Sequence, residues 1–163
     1  MPLLLRKIRK SKWYKADSML WLKQGEIQAD ALGDIVTTSN TLSVWLVEDN
    51  KSNLKEVIVA LAVCGDTISN FDYTLIDVDL LWNVGIKIET KEGLSPYSRA
   101  NHWHRDIVEL TTSKILKLAE AIFLHSDRKR VAEKEVLTWV KDVAQSGQID
   151  QTKLKPGITK KLN

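Results

Sequence analysis

The chain has 163 residues, of which 44% are hydrophobic and 28% are charged, and its formal net charge is +3. These are ordinary values for a globular protein, and they predict one domain with a sizeable core. The sequence has no apolar run that would span a bilayer, and its one cysteine cannot form an intrachain disulfide, so we expect a cytoplasmic protein that does not bind membranes.

Basic residues are concentrated at the two ends of the chain. Residues 1–23 contain seven Lys or Arg and one acidic residue, and residues 151–163 contain four Lys and no acidic residue. Basic ends on an acidic body can indicate nucleic-acid contacts, but they can equally fold back onto the body or remain solvated. The candidate nucleic-acid-binding residues of the N-terminal segment are Arg6, Lys7, Arg9, Lys10, Lys12 and Lys15.

The first half of the chain predicts two strands and two helices. A partial alternation over 3–9 predicts an edge strand, whose Lys and Arg residues would discourage further pairing. Residues 26–36 have apolar side chains at helical spacing, whereas 42–48 is nearly all apolar and typical of a central strand. Residues 54–63 follow the amphipathic helix template, with Asn53 as the expected N-cap.

The segment 71–81 is ambiguous and is interpreted as a strand, followed by a clearer strand over 84–90. If 71–81 is extended, Asp77 and Asp79 project from the same side and could hold a divalent cation. A solvated strand face is the simpler interpretation. The sequence does not tell whether the carboxylates that a metal site would need converge in space; they are Asp77, Asp79, Glu89, Asp106 and Glu109.

The second half predicts two long helices and a polar tail. Residues 101–125 have apolar side chains on one face at about 100° per residue, and residues 126–145 repeat this pattern. The short connection between them predicts an antiparallel pair. The predicted fold is therefore α+β, a small mixed or antiparallel sheet of about four strands with helices and a C-terminal antiparallel helix pair. A single globular domain would span 1–147, and 148–163 would be a polar basic C-terminal tail.

The segment 102–106, HWHRD, is the densest cluster of chemically capable side chains. On a helix, His102 and His104 point in different directions and cannot chelate one metal ion, and the spacing of the cysteine and the histidines does not resemble a zinc site. His104 is expected to be a core histidine. Trp and Arg are common anchors of protein interfaces, so the candidate partner-binding residues are Trp103, Arg105, His102 and Trp13.

For function, the first interpretation is a non-catalytic protein-binding or accessory module of a cytosolic multi-protein assembly, either heteromeric or homo-oligomeric. Its basis is the presence of six tryptophans, the uneven charge and the lack of a recognisable catalytic motif. The alternative is a nucleic-acid-binding protein that uses the basic N- and C-terminal segments. A metal-dependent hydrolase is the third interpretation. No cofactor, metal ligand or catalytic residue is predicted, and Cys64 is interpreted as buried filler.

Overall fold

The structure, a computed structural model, describes residues 2–14 and 19–163. Six strands lie within these residues: β1 (Leu3–Lys7), β2 (Leu42–Val47), β3 (Phe71–Asp77), β4 (Lys87–Thr90), β5 (His104–Val108) and β6 (Asp127–Val131). They form one sheet in the order β4-β5-β2-β1-β3-β6, and every neighbouring pair is antiparallel. The predicted α+β class is confirmed, but the sheet has six strands and not about four.

Five α-helices within the same ranges connect and cover the strands: α1 (Leu54–Val63), α2 (Val78–Asn83), α3 (Thr112–His125), α4 (Glu133–Gln145) and α5 (Pro156–Leu162). Shorter 3-10 turns occur at Lys10–Trp13, Ala29–Asp34, Ser98–Trp103 and Gln151–Lys153. Among the residues that the structure describes, no helix combines the length and hydrophobicity that a membrane span requires.

The sheet has an apolar core on each face. Leu4 and Leu5 of β1 are both fully buried and belong to different cores, because side chains alternate along a strand. α1 and α4 pack on the Leu5 face, whereas α3 and the turn Ala29–Asp34 pack on the Leu4 face. Burial of one leucine side chain contributes about 1.5–3 kcal/mol, so β1 stabilises both layers. Val44 and Trp45 of β2 divide between the two cores in the same way, which confirms the predicted central strand.

The predicted antiparallel pair of C-terminal helices is wrong. α3 and α4 pack on opposite faces of the sheet, with Leu118 in one core and Val136 in the other, and β6 connects them. Residues 127–131 lie within the predicted second helix but form the strand Asp-Arg-Lys-Arg-Val at the edge of the sheet. Charged side chains suit an edge strand, because they discourage pairing with another chain.

The predicted helix over 101–125 begins only after Thr111, whose side chain caps α3. Residues 104–108 form β5 instead, which pairs with both β2 and β4. Asn101 is not a helix cap, because its Oδ1 accepts a hydrogen bond from Ser95 N (3.0 Å) and its Nδ2 donates to Ser95 O (3.2 Å). The pairing of β5 within the sheet overrides the local helical spacing.

Three other elements were predicted in the first half of the chain: one helix is confirmed, one strand forms but not at the edge of the sheet, and one helix is wrong. The helix over 54–63 forms as predicted, although the Asn53 side chain bonds to the end of β2 and not to the helix. β1 is not an edge strand, because it lies between β2 and β3. The segment 26–36 forms only the 3-10 turn Ala29–Asp34, in a sequence where a glycine weakens an α-helix.

The ambiguous segment 71–81 contains both a strand and a helix. It is extended as far as Asp77, whose side chain accepts a hydrogen bond from Asp79 N (2.9 Å) and so starts α2. The two carboxylates therefore do not project together from a strand. The strand predicted over 84–90 begins at Lys87, because a turn follows α2.

Candidate functional site

Basic residues from two distant parts of the chain meet beside β6. The 3-10 turn Lys10–Trp13 contacts β6, whose residues 128–130 are Arg, Lys and Arg. β6 is the last strand in the order of the sheet, and an edge of this kind is accessible to a large ligand. We call this region the basic surface, and we define it by Lys10, Lys12, Tyr14, Arg128, Lys129 and Arg130.

Asp72 in β3 connects the two halves of the basic surface. It is only 8% exposed, and its Oδ2 accepts a hydrogen bond from the backbone N of Lys10 (3.0 Å). Arg130 donates to both carboxylate oxygens of Asp72, with Nε–Oδ1 at 2.6 Å and Nη2–Oδ2 at 2.9 Å. The hydrogen bond from Arg130 holds the pKa of Asp72 below its usual value, so the carboxylate is ionised at neutral pH. A bidentate pair of this kind fixes the orientation of the guanidinium.

Arg128 contacts two aromatic rings. Its Cζ is 4.7 Å from the ring centroid of Tyr14 and 5.3 Å from that of Phe123, and its Nη1 donates to Phe123 O (3.1 Å). Lys10 Nζ lies 5.9 Å from the centroid of the same Tyr14 ring, which is 44% exposed. Cations over aromatic faces are held by the ring quadrupole. The stacking therefore positions Arg128 and leaves part of Tyr14 available at the surface.

Replacing Asp72 with Asn should lower the free energy of unfolding by about 1 kcal/mol near pH 7, because the half-exposed Arg130 loses an ionised partner. The pKa of Asp72 is depressed in the folded state, so its contribution is complete above the unfolded pKa of about 3.9 and is lost as pH falls through the lower folded value. Urea unfolding of the wild type and Asp72→Asn should therefore show a difference near neutral pH that disappears in strong acid.

The exposed Asp30→Asn provides the control for this measurement, because Asp30 lies in the 3-10 turn Ala29–Asp34 and not in the basic surface. It should leave the free energy of unfolding within about 0.5 kcal/mol of the wild type at both pH values. A difference between Asp72→Asn and the wild type that persists unchanged in strong acid would contradict the role of the Asp72 charge.

The other N-terminal candidate residues have partners within the fold or lie outside the described residues. Arg6 Nη2 donates to the backbone oxygen of Asp34 at 2.9 Å, and burial lowers the pKa of Arg6. Arg9 Nε forms an ion pair with Asp34 Oδ1 at 2.8 Å. Lys7 Nζ lies over an aromatic ring of β3 at 5.4 Å. Lys15 lies outside the described residues. Nucleic-acid binding by these four residues stays a prediction.

The basic C-terminal segment contacts acidic residues of the body. Lys155 Nζ lies 2.6 Å from Asp66 Oδ1, and Lys161 Nζ donates to Glu133. Ile158 of α5 lies between Lys155 and Lys161 in sequence, and its side chain is fully buried in the core. These contacts agree with the alternative that the basic C-terminal end folds back onto the body of the protein.

The four candidate partner-binding residues differ in exposure. Trp13 is 1% exposed and its Nε1 donates to Asp34 Oδ2 (3.0 Å), so its ring is not accessible to a partner in this fold. His102 is exposed and its ring centroid lies 4.3 Å from that of the half-buried Trp103. Arg105 Nη1 donates to the backbone oxygen of His102 at 2.8 Å. These last three residues are adjacent, and their role in partner binding stays a prediction.

Only some of the five candidate carboxylates converge. Glu89 and Glu109 both contact Lys87 Nζ, at 2.8 Å and 2.9 Å, and Asp106 is the register partner of Glu89. The residues 77–79 lie at the end of β3, three strands away from β5. Within residues 2–14 and 19–163, no group of three or more His, Cys, Asp or Glu is arranged to hold a metal ion.

Sequence reasoning missed Asp72, and it placed the cations of residues 128–130 on a helix and not on a strand. The available signal was the alternation over 128–130, which places Arg128 and Arg130 on one side of a strand and Lys129 on the other. Comparison of the chain with protein-family models, with curated proteins and with solved structures gives no match. A function for this chain therefore has to follow from its own residues.

Proposed function

We propose that this protein binds nucleic acid through the basic surface, by contacts to phosphates. The observation that carries the proposal is that the turn with Lys10 and Lys12 contacts β6, more than a hundred positions away in sequence. Arg128 and Arg130 project from one side of this edge strand, and Lys129 projects from the other. This binding site is narrower than the two basic ends of the chain, because the ligand would contact the N-terminal turn and β6 and not the C-terminal segment.

The charge of the basic surface supports a phosphate ligand. Its five cations have two direct acidic contacts among those that the structure gives, Asp72 for Arg130 and Asp127 for Lys129 at 3.4 Å. Lys10 and Arg128 instead contact the ring of Tyr14. Lysine and arginine side chains both form charge-assisted hydrogen bonds with phosphate oxygens. Contacts of this kind are independent of base sequence.

Protection of an edge strand is the simpler explanation for charges on β6. It accounts for Arg128, Lys129 and Arg130, but it does not require further cations to gather at the same edge. The turn Lys10–Trp13 adds two lysines there, and Asp72 holds its backbone against the Arg130 side chain. This arrangement favours a ligand that several cations contact at once.

A fluorescence-anisotropy titration tests the proposal, with a labelled single-stranded oligonucleotide of about 20 nucleotides at several salt concentrations. Five phosphate contacts at about −0.7 each predict a slope of roughly −3 to −4 for log K against log salt. Affinity should therefore fall about 100-fold between about 50 and 200 mM salt. Absence of binding at about 50 mM salt, or binding that does not depend on salt, would contradict the proposal.

A protein-binding accessory module of a cytosolic assembly is the second candidate function that we propose. It is favoured by two consecutive apolar side chains, Leu20 and Trp21, which are 89% and 71% exposed. Burial of such side chains against a partner would remove a large apolar area from water. Trp21→Ala and Arg105→Ala should then each weaken a partner complex recovered at moderate salt while the variants unfold like the wild type. Unchanged complex formation by both folded variants would remove this candidate.

A further inference from the structure

A cavity of about 340 Å³ opens on the sheet face that α1 covers, away from the basic surface. Its apolar walls include Trp45, Leu61 and Leu94, and its polar lining includes Ser43, Lys91 and His104. Pockets that bind small molecules have volumes from about 300 to 1,000 Å³ and combine apolar walls with a few polar groups. The cavity therefore has the size and composition of a pocket for a small ligand.

A hydrogen bond of His104, which lines this cavity, shows that its Nδ1 carries a proton. The residue is 8% exposed, and its Nδ1 lies 2.9 Å from the backbone oxygen of Lys91. A carbonyl oxygen can only accept, so Nδ1 carries the proton and Nε2 of the neutral ring is an acceptor. Ser43 Oγ lies 3.0 Å from Nε2 and 3.4 Å from Asp106 Oδ1, and its single proton can be donated to either of these two acceptors. This is the arrangement of a hydroxyl nucleophile and its general base.

Two charged groups stand beside this pair. Asp106 is 5% exposed, and its Oδ1 lies 3.7 Å from His104 Nε2 and 3.4 Å from Ser43 Oγ. Lys91 Nζ donates to Asp106 Oδ2 at 2.9 Å, and this hydrogen bond raises the pKa of Lys91, which is therefore a cation at neutral pH. Asp106 can stabilise an imidazolium that forms next to it, and Lys91 supplies positive charge to the cavity where an oxyanion would develop.

We propose that Ser43 and His104 form a nucleophile and general-base pair that cleaves small carboxylic esters with an apolar acyl group. Ser43 Oγ forms a bond to the carbonyl carbon while its proton passes to His104 Nε2. The carbon–oxygen bond to the alcohol then breaks, and the alcohol leaves with the proton from His104. Water attacks the acyl-serine, gives one proton to His104 and releases the acid, and Ser43 recovers its proton. The balance needs only ester and water.

If the hydrogen bond between Ser43 and His104 has only a structural role, we expect Ser43 to have ordinary reactivity. Ser43 is exposed, although it lies within β2, and its backbone oxygen accepts from Arg6 Nη1 at 2.8 Å. The strand thus holds the backbone of Ser43 in place while its Oγ faces the cavity rim. If the Ser43–His104 bond only supports the sheet, Ser43 should react no faster than any other exposed serine.

Labelling with a fluorophosphonate probe distinguishes these cases, because the probe reacts with activated serines by forming an Oγ–P bond and releasing fluoride. Mass spectrometry of the labelled full chain should find the adduct on Ser43. The rate should fall about 100-fold in His104→Gln, since loss of a general base costs about 10²–10⁴ in rate. The control Ser69→Ala, at an exposed serine before β3, should label like the wild type.

Labelling of Ser43 no faster than that of Ser69 in the wild type would overturn the proposal, as would equal rates in folded His104→Gln. If His104→Gln does not fold, Ser43→Cys provides a second readout. The imidazole should lower the pKa of the introduced thiol, which should then react with iodoacetamide at least about tenfold faster than the exposed Cys64. Equal alkylation of the two thiols would also overturn the proposal.

Cys64 is exposed and lines the same cavity, so the prediction that it is a buried core residue is wrong.

Discussion

Asp34→Ala should lower the free energy of unfolding by about 3 kcal/mol. The Asp34 carboxylate accepts hydrogen bonds from Trp13 Nε1 (3.0 Å), from Arg9 N (2.7 Å) and from Arg9 Nε (2.8 Å). Trp13 is 1% exposed, so its indole N–H would be left buried without an acceptor. Loss of a hydrogen bond to a charged group costs about 1.5–3 kcal/mol, and the half-exposed Arg9 adds less.

Urea unfolding at neutral pH measures this effect, and Asp30→Ala in the same 3-10 turn provides a matched control. Asp30 is exposed, whereas Asp34 is 8% exposed. Asp30→Ala should change the free energy of unfolding by no more than about 0.5 kcal/mol. Asp34→Asn should be intermediate, because an amide oxygen can still accept from Trp13. If Asp34→Ala and Asp30→Ala unfold alike, Asp34 does not hold Trp13 and the N-terminal turn in place.

The double variant Lys12→Glu/Lys129→Glu should bind a single-stranded oligonucleotide about 100-fold more weakly than the wild type at about 50 mM salt. Each lost phosphate contact costs roughly tenfold at this salt concentration, and the introduced carboxylates repel phosphates. The slope of log K against log salt should fall to about −2, since three cations of the basic surface remain.

Lys51→Glu/Lys117→Glu is the control for the charge reversal. Lys51 and Lys117 are exposed and lie outside the basic surface. Each Lys→Glu change alters the charge by two, so both double variants have the same net charge, lowered from +3 to −1. The control should lose less than about fivefold in affinity. Equal losses in the two double variants would show that net charge, and not this surface, determines binding.

Sequence alone predicted the elements whose local pattern allows one structure. β2 is short, β-branched and apolar, and these properties together suit a central strand. α1 has apolar residues at every position of the amphipathic template, and its predicted bounds, 54–63, agree with the structure. In both cases the local preference and the tertiary environment favour the same conformation.

β5 and β6 could not be predicted because their conformation depends on neighbours that are remote in sequence. Ile107 has apolar residues at helical spacing, Trp103 and Leu110, yet it pairs with Leu42 of β2 and with Ile88 of β4. β6 has almost no apolar residues, and it is extended because Asp72 and Tyr73 of β3 pair with it. Pairing of this kind appears in the sequence only as a weak alternation.

The basic surface was predictable only in part, because it also depends on contacts between residues that are remote in sequence. The N-terminal cluster that includes Lys10 and Lys12 is visible in the composition of the first 23 residues. Its meeting with Arg128 and Arg130 depends on the β3–β6 register, which brings Arg130 opposite Asp72. Burial of Trp13 likewise depends on a carboxylate 21 positions away. Spacing along the chain does not encode either contact.

Photo-crosslinking to a bromouridine oligonucleotide tests whether the basic surface binds nucleic acid, because it reports where the oligonucleotide lies on the folded chain. After irradiation at low salt, digestion and mass spectrometry, we expect crosslinked peptides that contain Tyr14 and peptides that flank 128–130. These crosslinks should disappear in Lys12→Glu/Lys129→Glu and persist in Lys51→Glu/Lys117→Glu. Crosslinks confined to the C-terminal residues 151–163 or to 102–105 would contradict the assignment of the basic surface as the binding site.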